Sequence, residues 1–245
     1  MSRRVALIHN TSFYVGPPLA MILAERGHDL VIGDPQEGLV DQLEQLGASV
    51  EVVEGVERMS DPDNIAKLVD AGLRRFGRID AATAFTGRVV TGSFETSSVD
   101  DLDSAYAGCL QEPFHFLKAV VPVMADQRDG QVLLLTSATG ARPTKNAPLY
   151  SAVRAGANML VRNVAAEYAS RNVQVNALGT NFMDFPEFRR ASGADDPDVR
   201  ARIEAGVPMR RLGTVDECAA LCAAFLDGSS RFTTGQFVGF AGGWV

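Results

Sequence analysis

The strongest constraint on what this chain can fold into is its alternation. Short runs rich in β-branched residues recur along the 245 residues, each followed by a stretch with helical spacing. Val5–Ile8, Asp29–Ile32, Val50–Val53, Ile79–Ala84, Val132–Thr136, Val173–Leu178 and Phe237–Phe240 read as strands. Between them, Leu19–Arg26, Asp61–Phe76, Val99–Gln127, Leu149–Ser170 and Thr214–Leu226 read as helices. In Asp61–Phe76 the residues Ile65, Leu68, Val69 and Leu73 share one face. Two prolines in Val99–Gln127, Pro113 and Pro122, predict a bend or a break.

Parallel neighbours need a crossover, and a helix supplies it. The rhythm therefore predicts an α/β fold: a single doubly wound, Rossmann-like domain over residues 1–245, with a parallel sheet of about seven strands and helices on both faces. Residues 184–208 fit no element. They follow the sixth strand, at the end of the sheet where such folds place their ligands, and read as a candidate lid.

Charge and cysteine content exclude several classes. A net charge of −7 offers no general basic surface for nucleic acid or anionic lipid. No window of about 20 apolar residues suggests a membrane span. Three sparse cysteines, Cys109, Cys218 and Cys222, with no secretory leader point to a reducing cytoplasm. Cys218 and Cys222 are four apart on a helix without a nearby histidine, so buried core is expected and no metal. Asp34 reads as a solvated turn residue, His28 as a turn residue and His115 as packing. His9 either faces a pocket or closes the first strand.

The chemistry concentrates on Ser137, Tyr150 and Arg154. Ser137 closes the fifth strand; Tyr150 and Arg154, four apart in the next helix, lie one above the other. A phenol titrates near 10 in water, so a tyrosine that moves protons near neutrality needs a fixed cation beside it. A guanidinium provides one, and a serine hydroxyl can hold the substrate oxygen.

Thr136-Ser137, Leu149-Tyr150-Ser151-Ala152, Val175-Asn176-Ala177 and Pro208–Glu217 together resemble the short-chain dehydrogenase/reductases along nearly the whole chain. That family has a lysine where Arg154 stands. Its Thr-Gly-x-x-x-Gly-x-Gly loop corresponds here to His9, Asn10, Tyr14 and Gly16, followed by Pro17-Pro18. Its Asn-Asn-Ala-Gly corresponds to Ala84-Phe85-Thr86-Gly87, its catalytic Asn to Cys109 and its Pro-Gly pair to Thr180-Asn181. All these departures fall at the nicotinamide ligand. The combination of a Ser–Tyr–Arg set with Tyr14-x-Gly16 is similar to the halohydrin dehalogenases, a cofactor-independent offshoot.

That resemblance implies conversion of vicinal halohydrins to epoxides plus halide, and epoxide opening by small anions, with Tyr150 as base and no cofactor. It also implies a halide and substrate pocket of Tyr14, Thr180, Asn181, Phe182, Met183 and Thr86. It implies a homotetramer, a dimer of dimers, whose dimer faces are the helices at 99–127 and 149–170. The alternative is an NAD(P)-dependent short-chain oxidoreductase with an unusual first loop.

Overall fold

The computed structural model describes residues 3–245. Arg4–Ile8 (β1) leads into Gly16–Glu25 (α1), and His28–Gly33 (β2) into Leu39–Gln45 (α2). Val50–Val53 (β3), Pro62–Phe76 (α3) and Ala81–Phe85 (β4) follow. Next come Val99–Tyr106 (α4), a π-helical turn at Ala107–Gln111, Glu112–Gln127 (α5) and Gly130–Ser137 (β5). Pro148–Tyr168 (α6) and Val173–Thr180 (β6) precede the short Met183–Asp184 (β7), Pro186–Ser192 (α7), Pro197–Ala205 (α8) and Gly213–Thr214 (β8). Val215–Leu226 (α9) and Phe237–Phe240 (β9) complete the order.

Among the described residues, seven parallel strands run β3-β2-β1-β4-β5-β6-β9, and β7 pairs with β8 apart from them. One apolar layer joins α3, α5 and α6 to the sheet through residues such as Ile65, Phe116, Val120 and Val161. The other joins α1, α2 and α9 through Leu19, Leu23, Leu39, Cys218 and Cys222. Both faces of the central strands are therefore buried, which explains their continuous apolar runs. No helix among the described residues is long and apolar enough to cross a membrane.

Local chemistry sets the boundaries. α3 starts where the Asp61 side chain accepts from the Asp63 N–H and Pro62 occupies the first turn. It stops at Gly77, which takes a left-handed φ of 74° behind Arg74 and Arg75. α9 opens on a capping box in which Thr214 and Glu217 serve each other's backbone N–H groups.

Four readings change. The long helix runs without a break, and its irregularity is the π turn at 107–111, ahead of Pro113, which sits in the first turn of α5. Pro122 lies inside α5 without ending it. α2 carries only Leu39 and Leu43 to the core, too short an apolar pattern to stand out. Residues 184–208 contain α7 and α8, neither of which has a fully buried residue to give a periodic signal. His28 is the buried first residue of β2, its Nδ1 3.1 Å from the Leu23 carbonyl oxygen.

Candidate active site

Strand order reverses between β1 and β4, so the loops leaving those strands diverge and open a crevice at the carboxyl edge of the sheet. Ser137 ends β5 on that edge, and the register sets it beside Thr180 at the end of β6. Pro148 starts α6, placing Tyr150 in its first turn and Arg154 one turn further on. Tyr150 is buried in a small cluster with Ala105, Cys109, Ala147 and Val153.

Ser137 Oγ accepts from the Thr139 N–H at 3.2 Å and from the Thr139 hydroxyl at 2.9 Å. Its own proton is thereby left for a substrate oxygen. Arg154 is 3% exposed. Its Cζ lies 5.1 Å from the centre of the Tyr150 ring. Nη1 donates to Thr86 Oγ1 at 3.0 Å, and Nη2 donates to the Thr86 carbonyl. Gly87 follows with φ 119°, and a Cβ there would collide with the Arg154 guanidinium. The chain at 86–87 is thus shaped around the arginine. The arrangement can hold a hydroxyl or carbonyl oxygen at Ser137 and exchange a proton with it through Tyr150 beside a fixed cation.

The expected anion pocket is not assembled. The Asn181 N–H donates to the Phe240 carbonyl at 3.2 Å, and the Phe182 N–H donates to Asn181 Oδ1 at 2.9 Å. Neither dipole is available for a halide. The Phe182 ring packs edge-on against Trp244, 5.5 Å away, and not against Tyr14. Met183 is buried in the core with Cys218 and Cys222, and Thr86 is committed to Arg154. Among the proposed pocket residues that are distant in sequence, the structure joins Tyr14 to Thr180: the phenol donates to Thr180 Oγ1 at 3.1 Å. A cavity of about 330 Å³ lies apart from Ser137 and Tyr150. It sits between Val207, Met209 and the end of β9, with Asn181 and Phe182 on one wall.

Tyr14 occupies the crevice. Its ring lies 4.4 Å from that of Phe185 and 5.8 Å, edge-on, from that of Phe85. Burial pushes its phenol well above the usual tyrosine range, so it remains a donor. Phe85, which the sequence shows only as part of the Ala84–Gly87 stretch, and Phe185 are further members of this cluster that no sequence motif marks.

His9 closes β1: its Nε2 lies 2.9 Å from the Val56 carbonyl oxygen, and burial lowers its affinity for a proton. The Asp34 carboxylate accepts from the Gly55 and Val56 N–H groups at 2.6 and 3.1 Å, fixing a turn. Cys109 is fully buried, and its thiol donates to the Arg88 carbonyl at 3.3 Å; burial pushes the thiol up.

These residues do not fit a nicotinamide dinucleotide as they stand. A pyrophosphate on such a sheet needs bare backbone N–H groups at the first helix. Here Pro17 and Pro18 have none, and the Gly16 N–H donates to Phe13. The Tyr14 ring, clasped by Phe85, Phe185 and Thr180, fills the adjoining space.

Fold and site together define a short-chain, Ser–Tyr enzyme on a doubly wound sheet. A family model described as "Enoyl-(Acyl carrier protein) reductase" matches residues 15–245. The chain belongs to that family, within the short-chain dehydrogenase/reductases. It is similar to the 3-oxoacyl-[acyl-carrier-protein] reductase FabG of Thermotoga maritima, 27% identical over 99% of this chain and 98% of that one. It is also similar to the oxidoreductase UcpA of Escherichia coli K12, 29% identical over 96% and 92%. Among solved structures, levodione reductase superposes with a TM-score of 0.86 at 25% identity, covering 98% of this chain and 96% of that one.

The dehalogenase expectation is corrected by these findings, since the relatives matching almost the entire chain are named as reductases and oxidoreductases. The physical reason is that a Ser–Tyr pair beside a buried cation serves proton exchange with any substrate oxygen. The features that would have specified a leaving halide are engaged in internal hydrogen bonds.

Proposed function

We propose that this chain is an oxidoreductase that interconverts an alcohol and a carbonyl. The observation that carries the reading is the Ser137–Tyr150–Arg154 arrangement on a family scaffold whose relatives bear oxidoreductase names. Ser137 holds the substrate oxygen with its free proton. Tyr150 would donate a proton to that oxygen while a two-electron hydride donor reduces the carbonyl carbon, and would remove it while a hydride acceptor oxidises the alcohol carbon. Arg154 keeps a positive charge beside the phenol in both. Burial of all three hydroxyl and guanidinium groups excludes water from the exchange.

The nicotinamide seat is obstructed by Tyr14, so no step is assigned to a dinucleotide. The test is alcohol–carbonyl interconversion with added NAD(H) and NADP(H), followed by chromatography, in the wild type, Tyr14→Gly and Tyr150→Phe. Turnover that disappears in Tyr150→Phe is expected, with Tyr14→Gly binding dinucleotide more tightly. Absence of interconversion in both the wild type and Tyr14→Gly overturns the reading.

We further propose a homotetramer that buries the exposed Val99, Leu102, Tyr106, Phe114 and Met159 of α4, α5 and α6. Residues 184–208 would serve as a lid held by the Asp184–Arg189 and Asp184–Arg200 ion pairs. Light scattering tests the tetramer: a monomer at micromolar concentration would refute it.

A further inference from the structure

Arg154 is a buried cation without an ion-paired carboxylate, for the ion pairs of the described residues involve other arginines. Its Nε makes no hydrogen bond with the protein. Buried charges are ordinarily balanced, so the nearest acidic group matters. That group comes from the π turn. The Glu112 N–H bonds back to the Ala107 carbonyl, five residues earlier, and this widened turn brings residues 108–112 against the 86–88 segment. Two contacts show it, and the electrostatics of Glu112 agree. A Cβ at Gly108 would run into the Arg88 backbone. The Cys109 thiol donates to the Arg88 carbonyl. The half-buried Glu112 carboxylate faces the Gly87 N–H.

Gly87 in turn lies directly on the Arg154 guanidinium. One glycine therefore separates the Glu112 carboxylate from the arginine that lies beside Tyr150.

We propose that Glu112 is a positioning residue for Tyr150: its carboxylate is the counter-charge of Arg154 and sets how strongly that arginine pulls on the phenol. The proposal rests on Tyr150 being the proton-transfer group. It does not depend on which substrate or cofactor is used.

The groups facing Glu112 are Arg154 from α6, Arg88 from the loop after β4, His115 from α5 and Cys109 from the π turn. Burial raises the Glu112 carboxyl above the ordinary range, and the Gly87 N–H and the cations only partly offset this. It therefore takes up a proton at a higher pH than a surface glutamate does. Below that pH the arginine acts on the phenol unopposed; above it, the carboxylate shares the charge.

The experiment is an ultraviolet absorbance titration of phenol ionisation in the full chain, which needs no substrate. Tyr150→Phe identifies the wave that belongs to Tyr150 among the four tyrosines. Glu112→Gln keeps an oxygen for the Gly87 N–H and removes the charge. It should move that wave to lower pH by about one unit, the order by which a neighbouring charge displaces a titration. Glu112→Asp retains the charge and should leave the wave near its wild-type position. A purely structural role predicts no shift in Glu112→Gln, because the acceptor is kept. An unmoved wave in Glu112→Gln, or equal shifts in Glu112→Gln and Glu112→Asp, overturns the proposal. If turnover proves absent, the oxidoreductase reading fails while this coupling is still measured.

Discussion

Gly87→Ala is the sharpest test of the site's geometry. Gly87 has φ 119°, outside the regions open to residues with a Cβ, and strain of this kind costs about 1–3 kcal/mol. The new methyl would also collide with the Arg154 guanidinium, which is buried and tied to Thr86 through two hydrogen bonds. Arg154 cannot step aside without losing at least one of them, a further loss of about 1.5–3 kcal/mol for a charged donor. The sum is about 3–6 kcal/mol, a large part of the roughly 5–15 kcal/mol that holds a native chain. For a chain of this length it corresponds to a fall in Tm of about 6–24 °C.

Gly92→Ala is the control. Gly92 also has positive φ, 157°, but a Cβ there would meet only the Thr96 hydroxyl, at an ordinary contact distance of 3.7 Å. Urea unfolding of the two variants separates backbone strain from displacement of the arginine. Equal losses in both, or less than about 1 kcal/mol in Gly87→Ala, would show that the guanidinium does not lie against residue 87.

Three further outcomes follow from the same contacts. His9 and His28 bind protons less readily in the folded chain, burial being the first cause. The unfolded chain then takes up protons first as pH falls through the usual 6.5, so stability is full above that value and declines below it, by at most about 1.4 kcal/mol per pH unit for each histidine. Urea midpoints at about pH 7.5 and about pH 5.5 measure the slope, and His9→Gln should flatten it; midpoints that do not change would show that both rings charge freely when folded. Tyr14→Phe removes the hydrogen bond to Thr180 while keeping the packing on Phe185, so a loss of about 1 kcal/mol is expected, read by calorimetry. Ser137→Ala should lower kcat by about 100-fold or more with Tm little changed, since the hydroxyl bonds only its neighbour Thr139; unimpaired turnover would remove Ser137 from the site.

The central strands were legible because they are buried on both faces and carry continuous apolar runs, and the partly buried edge strands β3 and β9 still show short apolar stretches. α2, α7 and α8 were not, because they give few or no side chains to the core. Ser137, Tyr150 and Arg154 could be read from spacing, since one strand end and one helix face fix their relation. The use of the Asn181 and Phe182 N–H groups could not. Their partners are the carbonyl of Phe240, far along the chain, and the side chain of Asn181 itself, and the left-handed φ of 56° at Phe182 has no sequence signature. Reaction type was misread for the same reason: residue identities at 14 and 181 were taken to describe a ligand, whereas the structure shows them satisfying neighbours. The relation of Glu112 to Arg154 could not be read from the sequence, because it passes through Gly87.

The π turn at Ala107–Gln111 has a consequence for length variation. It absorbs one residue more than a regular helix would, and each residue turns a helix by about 100°. Deleting a single residue there would let α4 and α5 run on in one α-helical register, kinked at Pro113. Relative to α5, the whole of α4 would then rotate by that angle. Ala105 would swing away from Tyr150, and the exposed row of Val99, Leu102 and Tyr106 would point elsewhere. A one-codon loss at this point would therefore dismantle the wall behind the tyrosine and re-aim an outer face together, so the segment should tolerate substitution far better than any change of length.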